Sequence, residues 1–178
     1  MRVERRVTLP ADRDTVWKVL GDPDRYPSLL PHLQRWEPVT EGPPGVGSRY
    51  TVLWEIGAIP VGGTVEVVEF DTARDLAWIS ITGVTQRGRF RLRDAGPGRT
   101  AVTFRLAYHS DGGLLGLIAD RIAARQVGRS LSESLKNLAR LVSPARGGSP
   151  TGRRSRRRQP EVAAETVRRG QTGKGDHR

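Results

Sequence analysis

Three kinds of side chain in this 178-residue sequence could do chemistry: histidines, tyrosines, and a scatter of tryptophans and phenylalanines. His109-Ser110-Asp111 has the composition of a hydrolytic triad. A triad needs its three groups to converge in space. Consecutive strand residues point to opposite faces, so His109 and Ser110 cannot pass a proton between them, and the triad is set aside. His32 is the more informative histidine. It lies between Pro31 and Leu33 in "LGDPDRYPSLLPHLQRW", Leu20 to Trp36, where an imidazole offers a hydrogen bond or a proton near pH 7, or simply sits on a short turn. The histidines are dispersed, with no Asp/Glu at ligand spacing, so no metal is expected. "GPPGVGS" has glycines but no following Lys-Ser/Thr and opens no helix, which rejects a phosphate cradle. No cofactor is expected.

The aromatic residues carry more. Tyr50, Val52 and Trp54 alternate along one face of a strand, and Trp78, Phe90, Phe104 and Tyr108 come from later strands. Aromatics mostly fill a core. Some of these should also line a cavity whose apolar walls suit a hydrophobic ligand. Its polar tips are Tyr50, Tyr108, Ser80, Thr82 or Arg105, depending on which sheet face is concave; a one-residue slip exchanges the faces. Glu55 and Glu69 read as partners for arginines across strands.

The elements that must position these residues follow from hydrophobic periodicity. "RVERRVTL" alternates as a strand ending at Pro10, and "ADRDTVWKVL" reads as a helix capped near Asp12 or Ala11 and stopped by Gly21. Pro23, Pro27 and Pro31 then limit the chain to one or two short helical turns. Next come about six strands. Val65, Val67 and Glu69 are expected on one side of "GTVEVVEFD", with Glu66, Val68 and Phe70 on the other. Phe90 and Leu92 are expected inward, and Arg89, Arg91 and Arg93 outward. Gly62-Gly63 and "AGPG" read as hairpin turns. The final element, Gly113 to Val142, is one long helix. Val127, Leu131, Leu135, Leu138 and Val142 form its apolar stripe, with Arg125, Arg129, Ser132, Lys136 and Arg140 opposite. Ile118 and Ile122 belong to its more apolar first half.

Charge divides the chain. Residues 143–178 hold ten Arg/Lys against three acids, a formal +7 of the total +11, which leaves +4 for residues 1–142. The two parts read as a folded domain, 1–142, and a disordered basic tail, 143–178. The absence of cysteine removes disulfides and thiol chemistry. With no membrane-length apolar run and no signal-peptide core, a cytoplasmic protein is expected.

The order is strand, helix, short helical segment, about six strands, long helix. It is an α+β arrangement in which an antiparallel sheet of about seven strands wraps the last helix. "ADRDTVWKVLGDPDRYPSLLPHLQRWEPV", with Asp22, Tyr26 and Pro27 in a D-x-x-x-Y-P pattern, "VGSRYTV" and "LSESLKNLARLV" resemble the helix-grip fold of the START-like (SRPBCC) superfamily. That superfamily includes polyketide cyclase/dehydrase-like and coenzyme Q-binding proteins. The resemblance implies binding or transport of a hydrophobic small molecule (lipid, quinone or polyketide-like) in an internal cavity. The alternatives are a polyketide cyclase/dehydratase-type enzyme and an interaction module using the basic tail. Expected ligand contacts are Tyr26, Leu30, His32, Tyr50, Val52, Trp54, Trp78, Phe90, Phe104, Tyr108, Ile118 and Ile122, with no catalytic residue assigned. Expected partners besides the ligand are a transient membrane contact, made by the leucines at 114–118, and weak nucleic-acid or anionic-lipid contact by the tail.

Overall fold

Pro10 ends the first strand, and Asp12 opens the first helix by accepting a hydrogen bond from the Thr15 amide at 2.7 Å. The computed structural model describes residues 1–56, 59–109 and 113–143, excluding the side chains of 56, 59 and 113–123. Its elements are β1 (Arg2–Leu9), α1 (Arg13–Leu20), a 3₁₀ turn (Pro23–Arg25), α2 (Tyr26–Leu29), β2 (Leu33–Pro38), β3 (Arg49–Ile56), β4 (Ile59–Asp71), β5 (Asp75–Ser80), β6 (Gln86–Asp94), β7 (Thr100–Tyr108) and α3 (Gly113–Val142). The strands form one sheet in the order β1-β7-β6-β5-β4-β3-β2, every neighbouring pair antiparallel. This is the expected α+β helix-grip arrangement. The chain divides into the units Met1–Arg146 and Gly147–Arg178. The tail expected at 143–178 lies, apart from Ser143, outside the described residues.

Strand alternation sorts the side chains. Tyr50, Val52, Val65, Val67, Leu76, Trp78, Phe90, Leu92, Val102 and Phe104 share one buried cluster with Val127, Leu131, Leu135, Leu138 and Val142 of α3. The apolar stripe of α3 therefore covers the sheet's apolar face, since a single-faced sheet must bury that face on something. Trp78 sits at the centre. Its indole lies over Gly88 on β6, where a Cβ would come within 2.1 Å of the ring. Phe90 and Phe104 stack beside it with centroids 4.0 Å apart.

Two strand details differ from the sequence expectation. The β4–β5 register shifts between Val67 and Glu69. An extra residue inverts the alternation beyond it. Phe70 thus joins the inner side, edge-on to Trp17 at 5.1 Å, while Glu69 turns outward to Arg89 at 2.7 Å. Gly62 and Gly63 are not a turn but lie within β4, paired with Leu53 and Val52. Their bare backbone admits the β5–β6 loop: a Cβ on Gly63 would meet the Thr82 carbonyl oxygen at 2.2 Å. The "AGPG" turn stands as expected, with Gly96 and Gly98 at positive φ.

The outer face is tied by charge. Asp75 is buried at 5% exposure and accepts hydrogen bonds from Arg91 (3.1 Å), Arg93 (3.0 Å) and Arg89 (3.3 Å). Burial alone would raise its pKa, but hydrogen bonds from Arg93 and Arg91 and the nearby guanidinium charges hold the carboxyl below its ordinary value. A depressed carboxyl stabilises the fold fully above its unfolded pKa, near 4, and loses that contribution as pH falls through the folded value. Asp75→Asn should therefore cost about 2–3 kcal/mol at neutral pH, less than a fully buried pair because the three guanidiniums remain half in water. Urea denaturation should show this gap narrowing below pH ~4. Gly88→Ala should cost about 1–3 kcal/mol in the same assay, because the rigid indole of Trp78 occupies the space of the new methyl.

Candidate functional site

The proline-rich segment after α1 folds back as an apolar cap. Asp22 accepts a hydrogen bond from the Asp24 amide at 3.1 Å, and Pro23 starts the 3₁₀ turn where no donor is needed. The buried hydroxyl of Tyr26 donates to the Leu20 carbonyl at 2.9 Å. Asn137 of α3 reaches across to the Leu29 carbonyl at 3.1 Å, fastening the cap to the long helix. His32 then adopts φ +61°, a left-handed turn that sends the chain into β2, and its carbonyl accepts a hydrogen bond from the Glu55 amide at 3.0 Å.

Between this cap, the sheet and α3 lies a cavity of about 140 Å³. Leu30, Pro31, Trp54, Val61, Trp78, Val84, Phe104, Leu106, Val127 and Leu131 supply apolar walls, and His32, Glu55, Gln86, Tyr108, Ser130 and Ser134 supply polar groups. Its size matches the ~150 Å³ apolar cavity that accommodates one benzene. The cavity-lining residue Trp78 has its indole Nε1–H buried and without a hydrogen-bond partner among the described residues; so has Trp36. A buried unpaired donor costs free energy, which an acceptor oxygen would recover. Glu55 forms no ion pair among the described residues and lines the cavity instead, whereas Glu69 pairs with Arg89.

Of the residues singled out from sequence, Leu30, His32, Trp54, Trp78, Phe104 and Tyr108 line this cavity. Tyr26 and Tyr50 line a void of about 10 Å³ with Trp36 and the other side of Trp78. Val52 and Phe90 are buried in the core and line neither. The side chains of Ile118 and Ile122, and of the leucines at 114–118, lie outside the described residues. Among the other polar tips considered, Ser80 is bound to the Gln86 amide, Thr82 to the Thr64 amide, and Arg105 to Glu4 on the outer face. Burial raises the hydroxyl pKa of both Tyr26 and Tyr50, so the two stay neutral.

Trp36 is the residue that sequence reasoning missed. It contacts four aromatic rings: Tyr26 at 4.6 Å, Tyr50 at 5.0 Å, Trp54 at 6.1 Å and Trp78 at 6.2 Å. Its pairing with Val52 across the β2–β3 ladder, which brings it to these rings, is set by the fold and not marked in the sequence. Ser130 and Ser134 were also missed. They sit one turn apart on α3, and Ser134 donates to the Ser130 carbonyl at 2.8 Å, a local bond that lets hydroxyls sit on an apolar face.

Among the described residues no cluster of His, Asp and Glu could hold a metal, and no helix is long and apolar enough to cross a membrane. The left-handed backbone of His32 predicts its own substitutions. His32→Gly should remain within roughly 0.5 kcal/mol of the parent, while β-branched His32→Val should cost about 1–2 kcal/mol, read by thermal and urea denaturation.

Comparison with known proteins adds to this geometry. A protein from Thermus thermophilus superposes with a TM-score of 0.70 at 19% identity, covering 80% of this chain and 97% of its own. A START superfamily protein from Mycobacterium smegmatis gives 0.65 at 18%, covering 79% and 96%. The Zhui aromatase/cyclase from Streptomyces sp. R1128 gives 0.56 at 23%, covering 80% and 90%. These likenesses establish the fold. No curated protein matches the chain. Residues 1–143 match the family described as polyketide cyclase / dehydrase and lipid transport, and to that family the chain belongs.

Proposed function

We propose that this protein binds a compact hydrophobic molecule, an aromatic or quinone-like ring bearing an acceptor oxygen, in the cavity beneath α3. The observation that carries the reading is the indole N–H of Trp78, unpartnered among the described residues, on a residue in the wall of a largely apolar cavity of about 140 Å³. Apolar walls supply affinity at about 25 cal/mol per Å² buried, offset by association costs. One polar donor then fixes orientation. A ligand carbonyl or phenol oxygen accepting from Trp78 satisfies both demands. The family description and the aromatase/cyclase among the structural neighbours support a ring-bearing or lipid-like ligand class.

A second reading is acid–base turnover of a polyketide-like substrate by cyclisation or dehydration. It draws on one observation: His32, Glu55 and Tyr108 line the same cavity. General acid–base work needs such groups within reach of one substrate.

One set of measurements tests both. A simple quinone and a hydrocarbon of equal shape are titrated against the full chain, with tryptophan fluorescence and thermal shift as readouts. Leu131→Trp, which fills the cavity, should weaken both ligands at least about tenfold. Trp78→Phe should cost the quinone roughly fivefold, one neutral hydrogen bond of about 1 kcal/mol, and leave the hydrocarbon unchanged. Equal binding to the Leu131→Trp variant overturns the cavity reading. Incubation with a hydroxylated polyketide analogue, followed by mass spectrometry, supports turnover if a dehydrated product forms and disappears in His32→Gln.

A further inference from the structure

The formal charge of the folded part is concentrated in one place. Arg5, Arg125, Arg129, Lys136 and Arg140 line an open groove of about 800 Å³ between β1 and α3, with Glu133 the only acid along it among the described residues. Five cations against one acid give the groove +4, the whole formal excess of residues 1–142; the other fifteen cations of that stretch are matched by fifteen acids. The pairing pattern agrees. Ten arginines elsewhere in the body engage acids within 4.0 Å and four other described cations (Arg6, Lys18, Arg87 and Arg99) stand apart from one another, whereas the five groove cations are gathered in one place and make no ion pair among the described residues.

Helix geometry lines these charges up. At 3.6 residues per turn, positions 125, 129, 136 and 140 fall within an arc of about 60° and extend for about 22 Å. Arg5 faces them from β1, where Gly128 makes room: a Cβ there would lie 2.5 Å from its guanidinium. Arg5 is held by hydrogen bonds to Ser132 (3.3 Å) and the Glu4 carbonyl (2.8 Å), neither of which neutralises it.

We infer that this groove is a docking surface for an anionic lipid bilayer, from which the cavity exchanges its ligand. The choice of a bilayer over another polyanion rests on the cavity-binding reading above. The α3 helix is the shared wall: Val127, Ser130 and Leu131 line the cavity, while Gly128, Arg129 and Ser132 line the groove. An anionic bilayer is the polyanion that also stores apolar molecules. No aromatic side chain lines the groove to stack a base, and its one amide, Asn137, is engaged with Leu29 and Arg140. The exposed large apolar residues (Val39, Val46, Ile79, Ile81 and Val84 among them) lie outside the groove, so docking is electrostatic and salt-sensitive.

The test is flotation of the full chain with vesicles of phosphatidylcholine, with and without phosphatidylglycerol, at low and moderate salt. The parent should float with the anionic vesicles alone and detach as salt rises. Each basic residue near such a surface contributes about fivefold in partitioning, so the triple variant Arg125→Gln, Arg129→Gln, Lys136→Gln should lose roughly a hundredfold. Arg140 is left intact because it supports Asn137 and through it the cap. A second full-length variant with Arg153, Arg154, Arg156, Arg157 and Arg158 changed to Gln separates the tail's contribution. Unchanged flotation of the triple variant overturns the proposal. So does displacement of the parent from vesicles by a short DNA duplex at equal phosphate concentration, with duplex binding lost in the triple variant. Quinone binding measured without vesicles keeps the two readings apart. If the cavity binds nothing while flotation still follows the groove charges, the docking surface stands and the cavity reading falls.

Discussion

An antiparallel sheet with one apolar face must bury that face, and in this chain α3 is the element long enough to do it. Val127, Leu131, Leu135, Leu138 and Val142 recur at helical spacing and are all buried against the sheet. A straight helix and a twisted sheet cannot stay in contact along their whole lengths. Where they part, the space is closed at one end by the cap of Tyr26, Leu29 and Leu30, which Asn137 ties to α3. The cavity is thus a consequence of how the apolar face is covered. Its centre is set by a smaller constraint: with no Cβ at Gly88, the Trp78 indole lies against the β6 backbone.

Much of this was legible because period-2 and period-3.6 patterns are strong signals. The face carrying Tyr50, Trp54, Phe104 and Tyr108 could be grouped correctly, as could the apolar and basic stripes of α3. What was not legible lies where a local irregularity resets the pattern. The bulge at Val67/Glu69 adds one residue and exchanges the roles of Glu69 and Phe70, and nothing in "VEVVEFD" marks which residue is extra. Gly62-Gly63 has the composition of a turn, yet its glycines serve a contact with Thr82 and Gly83 some twenty positions away. Trp36 is central for a similar reason. Its four ring partners come from α2, β3 and β5, and only tertiary structure brings them together.

Charge follows a division of labour that composition alone conceals. On the outer sheet face arginines alternate with acids across strands, and Asp75 gathers three guanidiniums around a buried carboxylate. Such pairs are inward-looking: each charge is satisfied within the protein and presents little net field to a partner. Along the groove between α3 and β1 five cations face one acid among the described residues. A surface left uncompensated on a body that is otherwise balanced gives the molecule a preferred orientation toward any anionic partner. The +7 in residues 143–178 carries the same sign.

The chemistry available in the cavity is set by what burial does to its polar groups. Tyr26 and Tyr50, which line the smaller void and not the cavity, are kept protonated by burial and contribute shape and hydrogen bonds rather than charge. Ser134 spends its donor on the backbone of its own helix. The indole N–H of Trp78, a residue of the cavity wall, is without a partner among the described residues, and a donor in apolar surroundings selects for an acceptor more sharply than the same group in water. His32, Glu55 and Tyr108 stand among the polar lining groups, and His32 and Glu55 are exposed, so solvent screens their charges. On the proposed reading, a ligand seated against Trp78 is held by shape and by a hydrogen bond it accepts from the indole. Proton transfer to it requires that His32 or Glu55 be drawn out of water as the ligand enters. Binding needs only what the cavity already contains, and turnover needs that additional desolvation; this difference is why binding is the primary reading of the site.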